Sequence, residues 1–187
     1  MGGRCFLWMS KSDGTLVRIV GPNCTDNFQV VTPKFRYSGL EWHSVEQAFQ
    51  ALKFPSNSAV RLEIHATSPN IGESDGEYGL RVWEHGRFAE GMREDWGQEK
   101  VKIMLLLNLA KYASSPSFQE DLIATGDQRI EGQESTWEWK YWNSCTQMLI
   151  RKLLLSHTEL NSVIVEVENM AQDEVENLLT DAISSDS

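Results

Sequence analysis

The sequence predicts an α+β domain in which helices outnumber strands. Three observations carry this. Apolar residues recur at helical spacing through most of the chain beyond residue 44. The segments that read as strands sit within the first 42 residues and near residue 130. With few strands early and late and helices between, the strands form a small sheet beside a helical body. A length of 187 residues fits one domain with a short appendage. The body is placed at residues 1–155 and a helical extension at 156–187.

In chain order, residues 5–8 and 15–20 read as strands around a turn at Lys11–Gly14, and Gly21-Pro22-Asn23 ends the second. Val30 to Phe35 is a short extended piece that contains Pro33, so it belongs at an edge or in a loop. Tyr37-Ser38-Gly39 is a turn, and Leu40–Trp42 leads into the best-defined helix. Ser44 is its N-cap, Gln47 completes a Ser-x-x-Gln capping box, and Pro55 stops it near Phe54. Val45, Ala48, Phe49 and Leu52 form its apolar face. Glu46, Gln50 and Lys53 line a second stripe beside that face.

Residues 59–66 form a short helix closed by Ser68-Pro69. The Gly-, Asp- and Glu-rich stretch from Asn70 to Gly79 reads as a loop, and Trp83–Met92 carries no decisive pattern. Asp95 or Gly97 opens the longest helix, Glu99–Tyr112, whose apolar residues nearly surround it and predict central burial. Pro116-Ser117 starts a helix over Phe118–Ala124, with Gly126 as its C′ residue. Arg129–Glu131 is a strand. Thr136–Trp142 reads as an aromatic loop, and Asn143 caps a last body helix that runs to Leu155. In the extension, Val163, Val167 and Met170, and then Val175, Leu178, Leu179 and Ile183, fall at helical spacing. They predict one or two amphipathic helices, the second capped by Asp173.

Composition narrows the class. The chain is 41% hydrophobic and 24% charged, a globular balance. No apolar run reaches the roughly 20 residues of a spanning helix, so no membrane is expected. The N-terminus lacks a secretory pattern, and the three widely spaced cysteines, Cys5, Cys24 and Cys145, form neither a disulfide framework nor a zinc knuckle. The expectation is a cytoplasmic protein, or a nuclear one from a eukaryotic source. His43, His65, His85 and His157 are too far apart to suggest a metal set, and neither a glycine-rich phosphate loop nor a Gly-x-Ser-x-Gly elbow is present. No metal and no cofactor is expected.

The net charge is −10, but residues 156–187 hold eight acids and no lysine or arginine. The first 155 residues therefore carry 19 acids against 17 bases, a balance of −2. Such a body is not built to grip duplex DNA through phosphates alone. Seven tryptophans leave rings available for stacking on a planar ligand.

Glu46 and Lys53 are seven residues apart, about 10 Å along a helix at a 1.5 Å rise. That gap suits a ribosyl group lying across it. On spacing alone, stabilisation of the helix dipole, by Glu46 in the first turn and Lys53 in the last, is the preferred account of both residues. Asp127, just past a helix-ending glycine, is either functional or a turn residue bonded to its own backbone. Trp96 and the Trp137, Trp139, Trp142 group are either a stacking surface or core.

The stretch Leu40-Glu-Trp-His-Ser-Val-Glu-Gln-Ala-Phe-Gln-Ala-Leu-Lys-Phe54 resembles the signature helix of the NADAR (YbiA-like) family. Asn27-Phe28, Arg93-Glu-Asp-Trp96 with Lys100, Val101 and Met104, Thr125-Gly-Asp127 with Ile130-Glu131, and Trp142-Asn143 follow in that family's order. The likeness covers roughly residues 5–155. It departs from the family pattern at Gln47-Ala48, where His-Tyr is common, and in the short aromatic segment Trp137–Asn143, which is usually richer in glycine. What the resemblance implies is hydrolysis of an N-glycosidic bond between ADP-ribose and a guanine base, in a nucleotide or a nucleic acid. The alternatives are cleavage of ribosylated pyrimidine intermediates of riboflavin synthesis, or an ADP-ribose- or NAD-binding module without turnover. It implies Lys53 as a nucleophile that forms a Schiff base and Glu46 as acid/base. It further implies Asn27, Phe28, Trp42, Gln50, Trp96, Asp127, Trp142 and Asn143 as substrate-binding residues, with Asp127 on ribose hydroxyls or water and Trp96 stacked on a base. The acidic extension has no counterpart in the resemblance and no assigned partner.

Overall fold

The computed structural model describes residues 3–133 and 136–184. Its elements are β1 (Phe6–Ser10), β2 (Leu16–Val20), β3 (Phe35–Tyr37), β4 (Leu40–Trp42), α1 (Val45–Leu52), α2 (Ala59–Ala66), α3 (Asp75–Phe88), α4 (Trp96–Ala113), α5 (Pro116–Ile123), β5 (Arg129–Glu131), α6 (Trp137–Leu155), α7 (Leu160–Glu168) and α8 (Gln172–Ser184). This is the helix-rich α+β architecture the sequence predicts.

The main sheet is antiparallel in the order β2-β1-β5, with Trp8 of β1 opposite Arg18 on one side and Arg129 on the other. β3 and β4 form a separate hairpin that pairs Phe35 with Trp42 and Tyr37 with Leu40. Its two-residue turn is Ser38-Gly39, with φ of 52° and 76°. Two successive positive φ values match the right-handed twist of the strands they join.

α4 is the axis of the body. It packs against α1, α5, α6, α7 and α8. Leu105 and Leu109 enter one hydrophobic cluster with the main sheet, α6 and the C-terminal helices, while Met104 and Leu107 enter a second with α1, α3 and the hairpin. The all-round apolar pattern of residues 99–112 is thereby satisfied from both sides. α7 and α8 bury Val163, Val167, Val175 and Leu179 in the first cluster. The Lys102 ammonium donates to the Met170 carbonyl at 3.1 Å, tying their connection to α4. The acidic extension is a packed layer of the body.

Local readings that fail do so for definite reasons. The stretch 70–79 is not wholly loop. Ser74 and Glu77 close a reciprocal capping box that starts α3 at Asp75, so Gly76, Gly79 and Gly86 lie inside a helix. A Cβ at Gly79 would stand 2.3 Å from the Phe28 ring, and one at Gly86 would stand 2.8 Å from the Gln50 Cβ. These glycines mark close approach of α3 to its neighbours. Thr136–Trp142 is not a loop either: the Thr136 hydroxyl accepts from the Trp139 amide and α6 starts at Trp137, which puts Asn143 inside the helix rather than at its cap. Ser44 caps α1 as expected, but the Gln47 side chain accepts from the His43 amide and not from that of Ser44. Its amide nitrogen donates to the carbonyls of Ile64, His65 and Thr67, fastening α1 to the end of α2. Asp173 sits in the first turn of α8, and Glu174 takes the Ala171 amide in its place.

Candidate active site

α1 is buried along its whole length. Its first turn is anchored by the Glu46 amide donating to the Asn27 carbonyl at 2.9 Å. Because Gly86 lets α3 lie flat on it, the Glu46 and Gln50 part of the stripe is sealed, while Lys53 stays half-buried. The three side chains form a relay. The Lys53 ammonium donates to Gln50 Oε1, and Gln50 Nε2 donates to Glu46 Oε1 at 2.6 Å. Among the described residues, Glu46 Oε2 has no hydrogen-bond partner, and it is buried.

Burial without full hydrogen bonding disfavours charge. It pushes the Glu46 carboxyl up to about 7, with Gln50 and Lys53 opposing the rise. Burial also pulls the Lys53 amine below the ordinary lysine range, opposed by the Glu46 carboxylate. Each group is thus held near neutrality by its surroundings and drawn toward charge by its partner.

Lys53 opens into a cleft of about 860 Å³. Phe28, Phe49, Trp83, Trp96 and Trp139 supply its aromatic walls. Phe49 fixes two of the tryptophans by edge contacts, with centroids 4.9 Å from Trp96 and 5.2 Å from Trp139. The Lys53 nitrogen stands 5.8 Å from the Phe49 centroid. Asp26 and Lys100 also line the cleft. Burial raises the Asp26 pKa, while its Oδ1 accepts from the Phe28 amide at 2.9 Å. Lys100 pairs with Glu138 at 2.6 Å, joining the first turns of α4 and α6 at the rim.

Behind the cleft lies a buried polar chain. Asn27 Nδ2 donates to Asn143 Oδ1, Asn108 Nδ2 to Asn27 Oδ1, Gln147 Nε2 to Asn108 Oδ1, and the Tyr112 hydroxyl to Gln147 Oε1. Beside it the fully buried Lys111 ammonium donates to the Cys24 carbonyl at 2.6 Å, and burial brings its pKa down to about 8. The chain fixes the segment 24–28 that carries Asp26 and Phe28 into the cleft.

Of the residues the sequence singles out, Lys53, Phe28 and Trp96 line the cleft. Gln50 and Glu46 lie directly behind Lys53, and Asn27 and Asn143 belong to the supporting chain. Three are not brought there. Trp42 is fully buried in the second cluster, donating from Nε1 to the Tyr37 carbonyl and meeting the His65 ring edge-on, because its place opposite Phe35 in the hairpin points it into the core. Trp142 packs beside Tyr141 against both clusters, on a side of α6 that does not line the cleft. Asp127 lines a different cavity with Trp8 and Trp137, because α5 and Gly126 deliver it to the edge of the main sheet. Sequence reasoning singled out neither Asp26 nor Trp83, and gave Lys100 and Trp139 no role of their own. Asp26 stood next to a flagged pair, and Trp139 within a group left open between stacking and core.

The chain matches the family model for the NADAR domain over residues 17–147. It belongs to the NADAR family. The matched span runs from β2 into α6 and takes in the whole Asp26–Lys100 side of the cleft; β1, α7 and α8 lie outside it. NADAR proteins are generally associated with N-glycosidase hydrolase activity. No curated protein and no solved structure matches the chain. Among the described residues, no helix is long and apolar enough to cross a membrane, and no group of three or more His, Cys, Asp or Glu side chains is placed to hold a metal ion.

Proposed function

We propose that this NADAR protein hydrolyses the N-glycosidic bond between the ribose of ADP-ribose and a guanine base, with Lys53 as nucleophile. The observation that carries the reading is the Lys53 amine, its pKa lowered by burial, lining an aromatic-walled cleft large enough for a nucleotide. The neutral amine attacks the anomeric carbon and the C1–N bond breaks. The leaving nitrogen takes up a proton from a carboxylic acid, and the attacking amine gives one up to the carboxylate that results. The ribosyl-lysine opens to an imine. Water adds to the imine carbon, the C–N bond to lysine breaks, and free ADP-ribose leaves with the amine restored.

We assign the proton transfer to Asp26, not to Glu46, because Asp26 lines the cleft whereas Glu46 is sealed under Gln50. Glu46 becomes a positioning residue: through Gln50 it aims the amine and sets its charge. Trp83, Trp96 and Trp139 provide faces on which the base stacks.

The test is trapping. ADP-ribosylated guanosine and borohydride should reduce the imine and leave a ribosyl adduct on the Lys53 peptide, absent from Lys53→Ala. An adduct on another residue, or none from an enzyme that turns over, removes the nucleophile assignment. Ribosylated pyrimidine intermediates of riboflavin synthesis, run in parallel, identify the leaving base. Tight ADP-ribose binding with no product from either substrate would make the protein a reader instead.

A further inference from the structure

A second cavity of about 630 Å³ lies on the other side of the first turn of α6. It lies at the β5 edge of the main sheet, where Trp8, Arg129 and Ile130 meet Trp137, Lys140 and Met148 of α6. Leu7 points inward and is buried, so its neighbours Phe6 and Trp8 face outward. Register sets Trp8 between Arg18 and Arg129. Glu131, across from Phe6, is held by the Trp8 indole, by Lys140 at 2.6 Å and by Arg18 at 3.6 Å; burial alone would raise its pKa, and these contacts bring it below the ordinary carboxylate value. Its charge is therefore met by the sheet and by Lys140 of α6, and Arg129 beside it is exposed. The wall is Trp137, which is 82% exposed although it opens a helix whose other tryptophans are buried or half-buried. Asp127 lies at the margin.

Aromatic rings on a sheet face and a neighbouring helix, with arginine and lysine between them, are the means by which proteins hold unpaired bases. We infer that this cavity takes an unpaired nucleobase, stacked on Trp137 and Trp8, and that the base belongs to the nucleotide flanking the modified guanine. Placement supports the second half. Thr136 and Trp139 line the catalytic cleft, while Trp137 and Lys140 line this cavity. The two sites are thus separated by one helix, about 10–12 Å across, a step that adjacent or next-adjacent nucleotides of an extended strand can make. Arg129 and Lys140 against Asp127 and Glu131 leave the lining with no net charge, in a chain of net charge −10. Stacking rather than phosphate contact then dominates, which selects single strands over duplex. The flanking role rests on the glycosidase reading; the base site does not.

The experiment reads both. Anisotropy of a labelled, unmodified single-stranded octanucleotide is measured with wild type, Trp137→Ala, Trp137→Phe and Arg129→Glu. Trp137→Ala should weaken binding about tenfold, the order of one lost base–aromatic stack, while Trp137→Phe retains most of it and thermal melting confirms that each variant is folded. In turnover, the ratio of kcat/KM on an ADP-ribosylated strand to that on ADP-ribosylated guanosine should fall by a similar factor in Trp137→Ala. A strand that fails to bind wild type, or binds Trp137→Ala equally well, overturns the base site. An unchanged ratio overturns the flanking role. Strand binding that depends on Trp137, with no turnover of either substrate, leaves the base site standing and removes the glycosidase reading instead.

Discussion

Glu46→Gln separates the two consequences of burying a carboxyl next to the reactive amine. The side chain is fully buried, and its pKa is raised from 4.5 to about 7. A rise of this size corresponds to about 3 kcal/mol. The sign follows from proton counting. Between pH 4.5 and 7 the folded protein keeps a proton that the unfolded chain has released, so stability falls as pH rises through that window, and the whole penalty is present above it. Lys53 is shifted the other way, so its linkage has the opposite sign and a more alkaline window. Glutamine keeps the volume and the oxygen that accepts from Gln50, and carries no charge at any pH. Its own unpaired N–H is a pH-independent offset. Relative to wild type, the variant should gain about 3 kcal/mol between pH 4 and pH 8, roughly 6–12 °C in Tm for a chain of this size. Urea or thermal unfolding of both proteins across that range is the assay. A stability difference that stays constant with pH would refute the raised pKa and the reasoning built on it. The same variant loses the carboxylate that raises the Lys53 pKa, so the acidic limb of its pH–rate profile should move to lower pH.

Gly86→Ala places a Cβ 2.2 Å from Gln50 Oε1 and 2.8 Å from Gln50 Cβ. It should destabilise by about 1–3 kcal/mol, as overpacking does, and lower kcat further by turning Gln50 away from Lys53; wild-type melting and turnover would contradict the close approach. Removing residues 157–187 strips Leu160, Val163, Val167, Val175 and Leu179 from the core, each worth about 1.5–3 kcal/mol against a net stability of about 5–15 kcal/mol. The shortened chain should be insoluble or unfolded by circular dichroism, and a soluble product with wild-type Tm would show that the last two helices are dispensable.

What could be read from the sequence was whatever local spacing encodes. α1 was legible because Ser44, its apolar face and Pro55 are strong signals within a dozen residues, and α4 because its apolar ring declares burial from both sides. α3 was not, because its glycines read as loop until Phe28 and Gln50 are seen against them. Those contacts are long-range, and no periodicity records them. The start of α6 was hidden for a related reason: a dense aromatic run looks irregular when its rings serve two cavities on opposite sides of one turn. The site shows the same division. Lys53 and Glu46 were found on one helix, but whether both reach the same space depends on α3, whose packing sets Glu46 a layer deeper than its partner.

That depth suggests why a carboxyl sits there at all. A carboxyl with no exposed surface and one oxygen unpartnered lowers stability above neutral pH, and a neutral isostere would avoid the loss. Its value must lie in the amine. Desolvation works against both charges, whereas attraction through Gln50 works for them, so the pair favours being charged together or neutral together. The charged pair holds Lys53 oriented but unreactive. The neutral pair holds a nucleophile. The balance between them depends on how much water reaches the cleft, since water is what sustains the charged state. A ligand that fills about 860 Å³ between Trp83, Trp96 and Trp139 expels that water and lowers the local dielectric. On the proposed mechanism, substrate entry would drive the pair toward neutrality, and the amine would become reactive when the bond it attacks is in place.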